Sequence, residues 1–146
     1  MPSRAVVWRG LDAPRMEIAY VDGERSRGTQ VGVAYELRYA LEPGLLRLAV
    51  GDGPSADVEL GDADFFDLGY SPLFNSLPVW TGLDGPRDYT MRLVDVPSLE
   101  VSESAQTYET LAPGRVRFRS GSFEAVIEYD DDGIVTHYPG LAERVA

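Results

Sequence analysis

Six apolar side chains, Val31, Val33, Tyr35, Leu37, Tyr39 and Leu41, fall on every second position of one stretch, with Gln30, Gly32, Ala34, Glu36, Arg38 and Ala40 between them. A repeat of two belongs to a strand with one buried face, because successive side chains leave a pleated backbone on opposite sides. The same alternation places Met16, Ile18 and Tyr20 on an inner face, then Leu46, Leu48 and Val50, then Val58 and Leu60. Val116 and Phe118 alternate with arginines, and Phe123, Ala125, Ile127 and Tyr129 continue the pattern. Turn chemistry separates these runs at Asp22-Gly23, Glu42-Pro43-Gly44, Gly51-Asp52-Gly53, Ala112-Pro113-Gly114, Ser120-Gly121 and Asp132-Gly133. Links this short join antiparallel neighbours, since parallel strands need a crossover of about a dozen residues or more. The chain is therefore expected to form one domain over residues 1–146, mainly β. Its expected architecture is a single curled antiparallel sheet with short helices at Pro72 to Leu77 and Gly140 to Val145.

Composition narrows the chemistry. The sequence has no cysteine and one histidine, so soft-ligand metal sites and disulfides are not expected. Acidic residues number 24 against 13 basic ones, a net charge of −11, and every basic residue is arginine. Such a surface repels phosphate backbones and anionic lipid, which argues against nucleic acid and against a polybasic membrane anchor. The lysine-free, acidic balance is expected of a salt-adapted or GC-biased organism. No apolar run is long enough to span a membrane as a helix. Met1 to Leu11 lacks the apolar stretch of about 7 to 15 residues that a secretory signal needs. The expected location is cytoplasmic.

Several local motifs do not survive their context. Gly51-Asp52-Gly53-Pro54-Ser55-Ala56 resembles a dinucleotide fingerprint, but no full helix and parallel strand follow it. Gly69-Tyr70-Ser71-Pro72-Leu73 has the look of a nucleophile elbow, yet Pro72 lacks the N–H that an oxyanion hole would need after the serine. Asp130-Asp131-Asp132-Gly133 reads as a tight turn, since the twelfth position of a calcium loop would be Leu141. No catalytic residue, metal or cofactor is expected.

Two segments are more specific. Phe66-Asp67-Leu68-Gly69-Tyr70-Ser71-Pro72-Leu73-Phe74-Asn75-Ser76-Leu77-Pro78-Val79 resembles the D-L-G-x-[ST]-P-x-T-N-x-L-P-[IV] stretch of the putative glycolipid-binding family of prokaryotes. Tyr129 through Leu141, with its Asp130-Asp131-Asp132-Gly133 turn and Tyr138-Pro139-Gly140, is similar to that family's closing hairpin. Val96-Pro97-Ser98-Leu99, Gln106 and Tyr108, Arg117-Phe118-Arg119-Ser120 and Phe123-Glu124-Ala125 follow the family in order and spacing. Phe74, Trp80 and His137 depart from it, standing where a small hydroxyl, a basic and an acidic residue are usual. The interval from Val50 to Asp64 is shorter by about one hairpin. The resemblance implies a spiral β-roll, a half-open barrel, holding a lipid or glycolipid.

The ligand-binding candidates are Asp67, Tyr70, Phe74, Asn75, Trp80 and Tyr138. Asp67 and Asn75 can hydrogen-bond sugar hydroxyls, while Tyr70, Phe74 and Trp80 offer ring faces. Local structure explains the same residues in another way: Asp67 or Ser71 caps the helix that Pro72 begins, Asn75 anchors the next loop and Tyr138 covers the core edge. The expected function is an apolar ligand bound in the roll's cleft without catalysis. A small hydrolase or isomerase acting on a hydrophobic substrate, and an interaction module with no small ligand, are the alternatives. The sequence leaves the oligomeric state open.

Overall fold

The structure is a computed structural model and describes residues 3–22, 25–30 and 33–146. The expected turn glycine Gly23 and inner-facing Val31 lie outside these residues, as does the side chain of Val33. The strands are β1 (Arg4–Gly10), β2 (Met16–Asp22), β3 (Arg25–Gln30), β4 (Val33–Ala40), β5 (Leu45–Val50), β6 (Ala56–Glu59) and β7 (Phe65–Leu68). A 3-10 turn, Leu73–Ser76, then runs into α1 (Leu77–Trp80). The chain continues as β8 (Pro86–Val94), β9 (Val101–Ala112), β10 (Arg115–Ser120), β11 (Phe123–Tyr129), β12 (Val135–Tyr138) and β13 (Ala142–Arg144). Strand dominates, at 57% against 6% helical. No helix among the described residues is long and apolar enough to cross a membrane.

All thirteen strands join one sheet in the order β6-β5-β4-β3-β2-β1-β13-β12-β11-β10-β9-β8-β7. Laid flat, such a sheet would be about 58 Å wide at the usual strand spacing. Its two edge strands, β6 and β7, are consecutive in the chain and joined by residues 60–64 alone. That link reaches about 20 Å at full stretch, so the sheet has to curl until its edges approach one another. The edges do not pair, and the roll stays open. Arg92 of β8 nevertheless donates from Nε to the Glu59 carbonyl of β6 at 3.2 Å, across the seam. Neighbouring strands are antiparallel, as expected, except β7 and β8, which run parallel at one edge. The crossover containing α1 is long enough to permit it.

The core fills the inside of the roll. Tyr35, Leu37, Tyr39, Leu46, Leu48, Val116, Phe118, Ile127 and Tyr129 are buried, as the period-two reading requires. The 3-10 turn enters the roll and buries Leu73, Phe74 and Asn75. Phe74 is 1% exposed and sets its ring edge-on to Tyr39 at 5.1 Å. A buried phenylalanine contributes about 1.5–3 kcal/mol through the water it sheds, and its truncation to alanine costs about 3–5 kcal/mol once the cavity is included. The Asp130 turn is tight, as expected: Oδ1 accepts from the N–H groups of Asp132 and Ile134, and Oδ2 accepts from Arg144 at 2.6 Å and Arg4 at 3.1 Å.

Two expectations are corrected. Met16, Ile18 and Tyr20 face outward, at 48%, 52% and 44% exposure, while Glu17, Ala19 and Val21 are buried. The pairing with β1 decides this, because Trp8 and Val6, both buried, stand opposite Glu17 and Ala19, and paired residues share a face. Gly140 to Val145 is not helical: Gly140 turns at φ +77° and the chain re-enters the sheet as β13, where Ala142 pairs with Tyr138 and with Gly10.

Candidate functional site

A cleft of about 400 Å³ opens between the segment following β7 and the inner faces of β9, β10 and β12. Its polar floor starts from alternation on β9, where Ser104, Gln106 and Tyr108 point inward. Asn75 Nδ2 donates to Tyr108 Oη at 2.9 Å, Tyr108 donates to Gln106 Oε1 at 2.8 Å, and Gln106 Nε2 donates to Asp67 Oδ2 at 2.8 Å. Gln106 also donates to Ser104 Oγ at 3.1 Å, and Tyr129 Oη donates to the Asn75 carbonyl at 2.8 Å. The relay runs in one direction and ends on a carboxylate. Asp67 Oδ1 accepts only the Leu68 N–H among the described residues, at 2.9 Å, leaving acceptor capacity on the cleft side.

Burial dominates the electrostatics of this floor. Asp67 is pushed up to about 6 by desolvation, against which the Gln106 and Leu68 hydrogen bonds act in the opposite direction. No arginine contributes to that balance. Tyr108, Tyr129 and Tyr138 are raised by desolvation, with the Asp67 charge adding to each. These phenols are neutral hydrogen-bonding groups at any physiological pH.

The walls are aromatic. Phe118, Phe123 and Tyr138 form a triangle, with Phe123 and Tyr138 stacked at 6.2 Å and 21°. Phe123 keeps 46% exposure, and Tyr70 keeps 56% at the opposite lip. Tyr70 stands in the left-handed region at φ +62°, which is uncommon for a bulky residue and costs of order 1–3 kcal/mol. Its ring gains no compensating burial. Strain of this kind, with a large ring left in solvent, concentrates at ligand sites.

Four of the six candidate residues, Asp67, Tyr70, Asn75 and Tyr138, line this one cleft. Phe74 and Trp80 do not. Phe74 is in the core, and Trp80 packs on the closing turn, where its Nε1 donates to the Asp132 carbonyl at 2.8 Å and its indole abuts Gly133. The local roles expected for the polar residues are realised in part. Ser71 Oγ accepts from the Leu73 N–H at 3.1 Å, whereas Asp67 caps no helix. His137 lies on β12 opposite Glu143, away from the cleft lining.

Glu17 is a second buried acid, which the outward reading of its strand concealed. It is 1% exposed, and Oε1 accepts from Ser71 Oγ at 2.7 Å and Tyr35 Oη at 3.0 Å. Oε2 is buried without a partner among the described residues. Burial raises Glu17 to about 7, with the Ser71 and Tyr35 hydrogen bonds and Arg15 opposing the rise. It ties the amino-terminal half of the roll to the loop that presents Tyr70. Gln106, Tyr108 and Phe123 also escaped selection as site residues. On β9 the inward residues are as polar as the outward ones, so alternation gives no signal there.

Other hollows of similar volume lie on the sheet. One of about 420 Å³ is bounded by Ser26, Glu36, Arg38 and Arg47, and one of about 440 Å³ by Ile18, Tyr20, Ala34 and Glu36. Neither joins an aromatic wall to a hydrogen-bonded floor as the Asp67 cleft does.

Residues 49–144 match the family described as putative glycolipid-binding. The crystal structure of a DUF1089 family protein from Pseudomonas aeruginosa is similar with a TM-score of 0.60, at 23% identity, over 99% of this chain and 94% of that one. No curated protein matches the chain. The cleft residues from Asp67 to Tyr138 all fall within the matched stretch, and Glu17 and Tyr35 precede it. By that match over most of its length, the chain belongs to the putative glycolipid-binding family.

Proposed function

We propose that the protein binds an amphiphile with a sugar-like head in the Asp67 cleft. The observation that supports this most is the pairing of an acceptor-ended polar relay with exposed aromatic rings in one cavity. Sugar hydroxyls need fixed acceptors and donors, and the C–H faces of a pyranose suit Phe123 and Tyr70. The aliphatic tail leaves the cleft past Leu93 or Leu141, both lining residues. At about 400 Å³ the cleft holds a head group and the first part of a chain, not a whole diacyl lipid. Octyl glucoside titrated by calorimetry is the test. Saturable binding that weakens at least tenfold in Phe123→Ala and Tyr70→Ala supports the reading, and heats indistinguishable from dilution at all concentrations below micelle formation reject it. These side chains are exposed, so their removal leaves the fold in place.

One observation favours catalysis as the second reading: Asp67, at about 6, is poised to exchange a proton near neutrality. Asp95 is the other carboxylate in the lining, and His137 is not there to complete an acid–base pair. Turnover of a hydrophobic ester or glycoside that disappears in Asp67→Asn would replace binding with this reading.

A further inference from the structure

The charge in the cleft selects a narrower ligand class than its shape does. Asp67 and Asp95 are both in the lining, and no arginine is. Arg15, which reaches the Leu141 carbonyl at 3.1 Å, is also held by Asp12 at 2.9 Å. Tyr138 is 8% exposed, lines the same cleft and has no hydrogen-bond partner for its hydroxyl among the described residues, so a polar group is expected of the ligand there. Four aromatic side chains, Tyr70, Phe118, Phe123 and Tyr138, line the same cleft as the carboxylate.

A carboxylate with no cation beside it, in a cleft lined by aromatic rings, is an arrangement that recognises an ammonium. The acid supplies the counter-charge, and the ring faces attract the cation. The whole molecule, at −11, adds a long-range field of the same sign. We propose that the cleft prefers an amphiphile whose head carries a protonated amine, such as an amino sugar, with Asp67 as its counter-ion. This rests on the reading of the cleft as a ligand site and goes beyond it in naming the charge of the head.

The matched probes are octyl glucoside and octyl 2-amino-2-deoxyglucoside, which differ by one hydroxyl-to-amine exchange, titrated at pH 7. A hydrogen bond to a charged group exceeds a neutral one enough to give about tenfold or more in Kd. The expected result is tenfold tighter binding of the amino compound, with the ratio falling below twofold in Asp67→Asn. Should that variant not fold, the unaltered protein at pH 5 serves instead. Asp67 is then largely protonated while the amine stays charged, and the ratio falls toward one. The phenols Tyr108, Tyr129 and Tyr138 act on or line this site and do not titrate in that range, Asp95 also lines it, and Glu17, bonded to the lining Ser71, takes up a proton there as well, so Glu17→Gln is titrated at both pH values as the control. Equal affinity for the two probes overturns the amine preference and leaves the binding reading intact. A preference that survives in Asp67→Asn overturns the role given to Asp67. Failure of both probes to bind overturns the reading of the cleft and this inference with it.

Discussion

Glu17 and Asp67 each hold a proton more tightly in the folded protein than in the unfolded chain, at about 7 and about 6 against ordinary values of 4.5 and 3.8. A carboxyl raised in the native state contributes its stability fully below the unfolded pKa and loses it as pH rises through the folded one. Each loss amounts to about 3 kcal/mol, spread between about pH 4 and pH 7. Chemical denaturation at pH 5 and pH 8 should therefore find the protein more stable at the lower pH, and Glu17→Gln should remove about two thirds of the difference, because above pH 5 the larger part of the loss is its own. A stability that climbs from pH 5 to pH 8 would contradict the burial of both acids. Within the relay, Tyr108→Phe leaves Asn75 and Gln106 each short of a partner in a buried setting, which costs about 1–3 kcal/mol. Urea titration at pH 7 measures it, and a change below 0.5 kcal/mol, to order of magnitude, would mean that the relay rearranges without cost. Of the residues in this network, Asp67 and Asn75 were legible because they interrupt or follow apolar residues in a distinctive segment. Glu17 was not. Its strand alternates apolar residues on both phases, and only the pairing with Trp8 and Val6 shows which phase is inside.

The strand β2 shows what element-level reasoning can and cannot recover. Its existence and limits follow from alternation, but the choice of face depends on a partner strand. A one-residue change of phase exchanges every side chain between core and solvent. The structure puts Ile18 outside at 52% exposure and Val21 inside at 2%. Ile18→Ser should accordingly shift stability by no more than about 0.5 kcal/mol, and Val21→Ser should cost about 2 kcal/mol or more. The reverse ranking by thermal denaturation would restore the phase expected from the sequence. Gly28 on β3 permits the close approach of the two backbones, since a Cβ there would lie 1.8 Å from the Ile18 carbonyl oxygen. The inner faces of β4, β5 and β10 were legible because charged residues such as Glu36, Arg38, Arg47 and Arg117 mark their outer faces, whereas Phe123 of β11, expected inside, keeps 46% exposure. The last strand, β13, was not. Three residues are too few for a period to register, and the sequence Gly140 to Val145 satisfies a short helix equally well.

For the whole molecule, the sequence indicated a curled sheet through its hairpin spacing and its resemblance to a family, whereas the structure gives the physical cause: edge strands β6 and β7 are bound to one another by a short link. The cleft was less legible than the roll, because it is assembled from β7, β9, β10, β12 and the loop before α1, which no local pattern connects. Phe74, expected to offer a ring face to the ligand, enters the core instead. At −11 the molecule also repels itself, and its exposed ion pairs, such as Arg9–Glu143 and Arg47–Asp57, are worth little each. Screening the net repulsion should outweigh the loss of those pairs, so Tm should rise between low salt and molar potassium chloride. A flat or falling Tm would show that the pairs matter more than the net charge. The central claim, that the Asp67 cleft is where a ligand sits, is tested most directly by following the side-chain amide signals of Gln106 and Asn75 by nuclear magnetic resonance during addition of octyl glucoside. Both are expected to move together with the backbone signals of Gly69, Tyr70 and Phe123, saturating at one ligand per chain. Shifts confined to the outer face around Ile18 and Tyr20, with both amides unmoved, would contradict it.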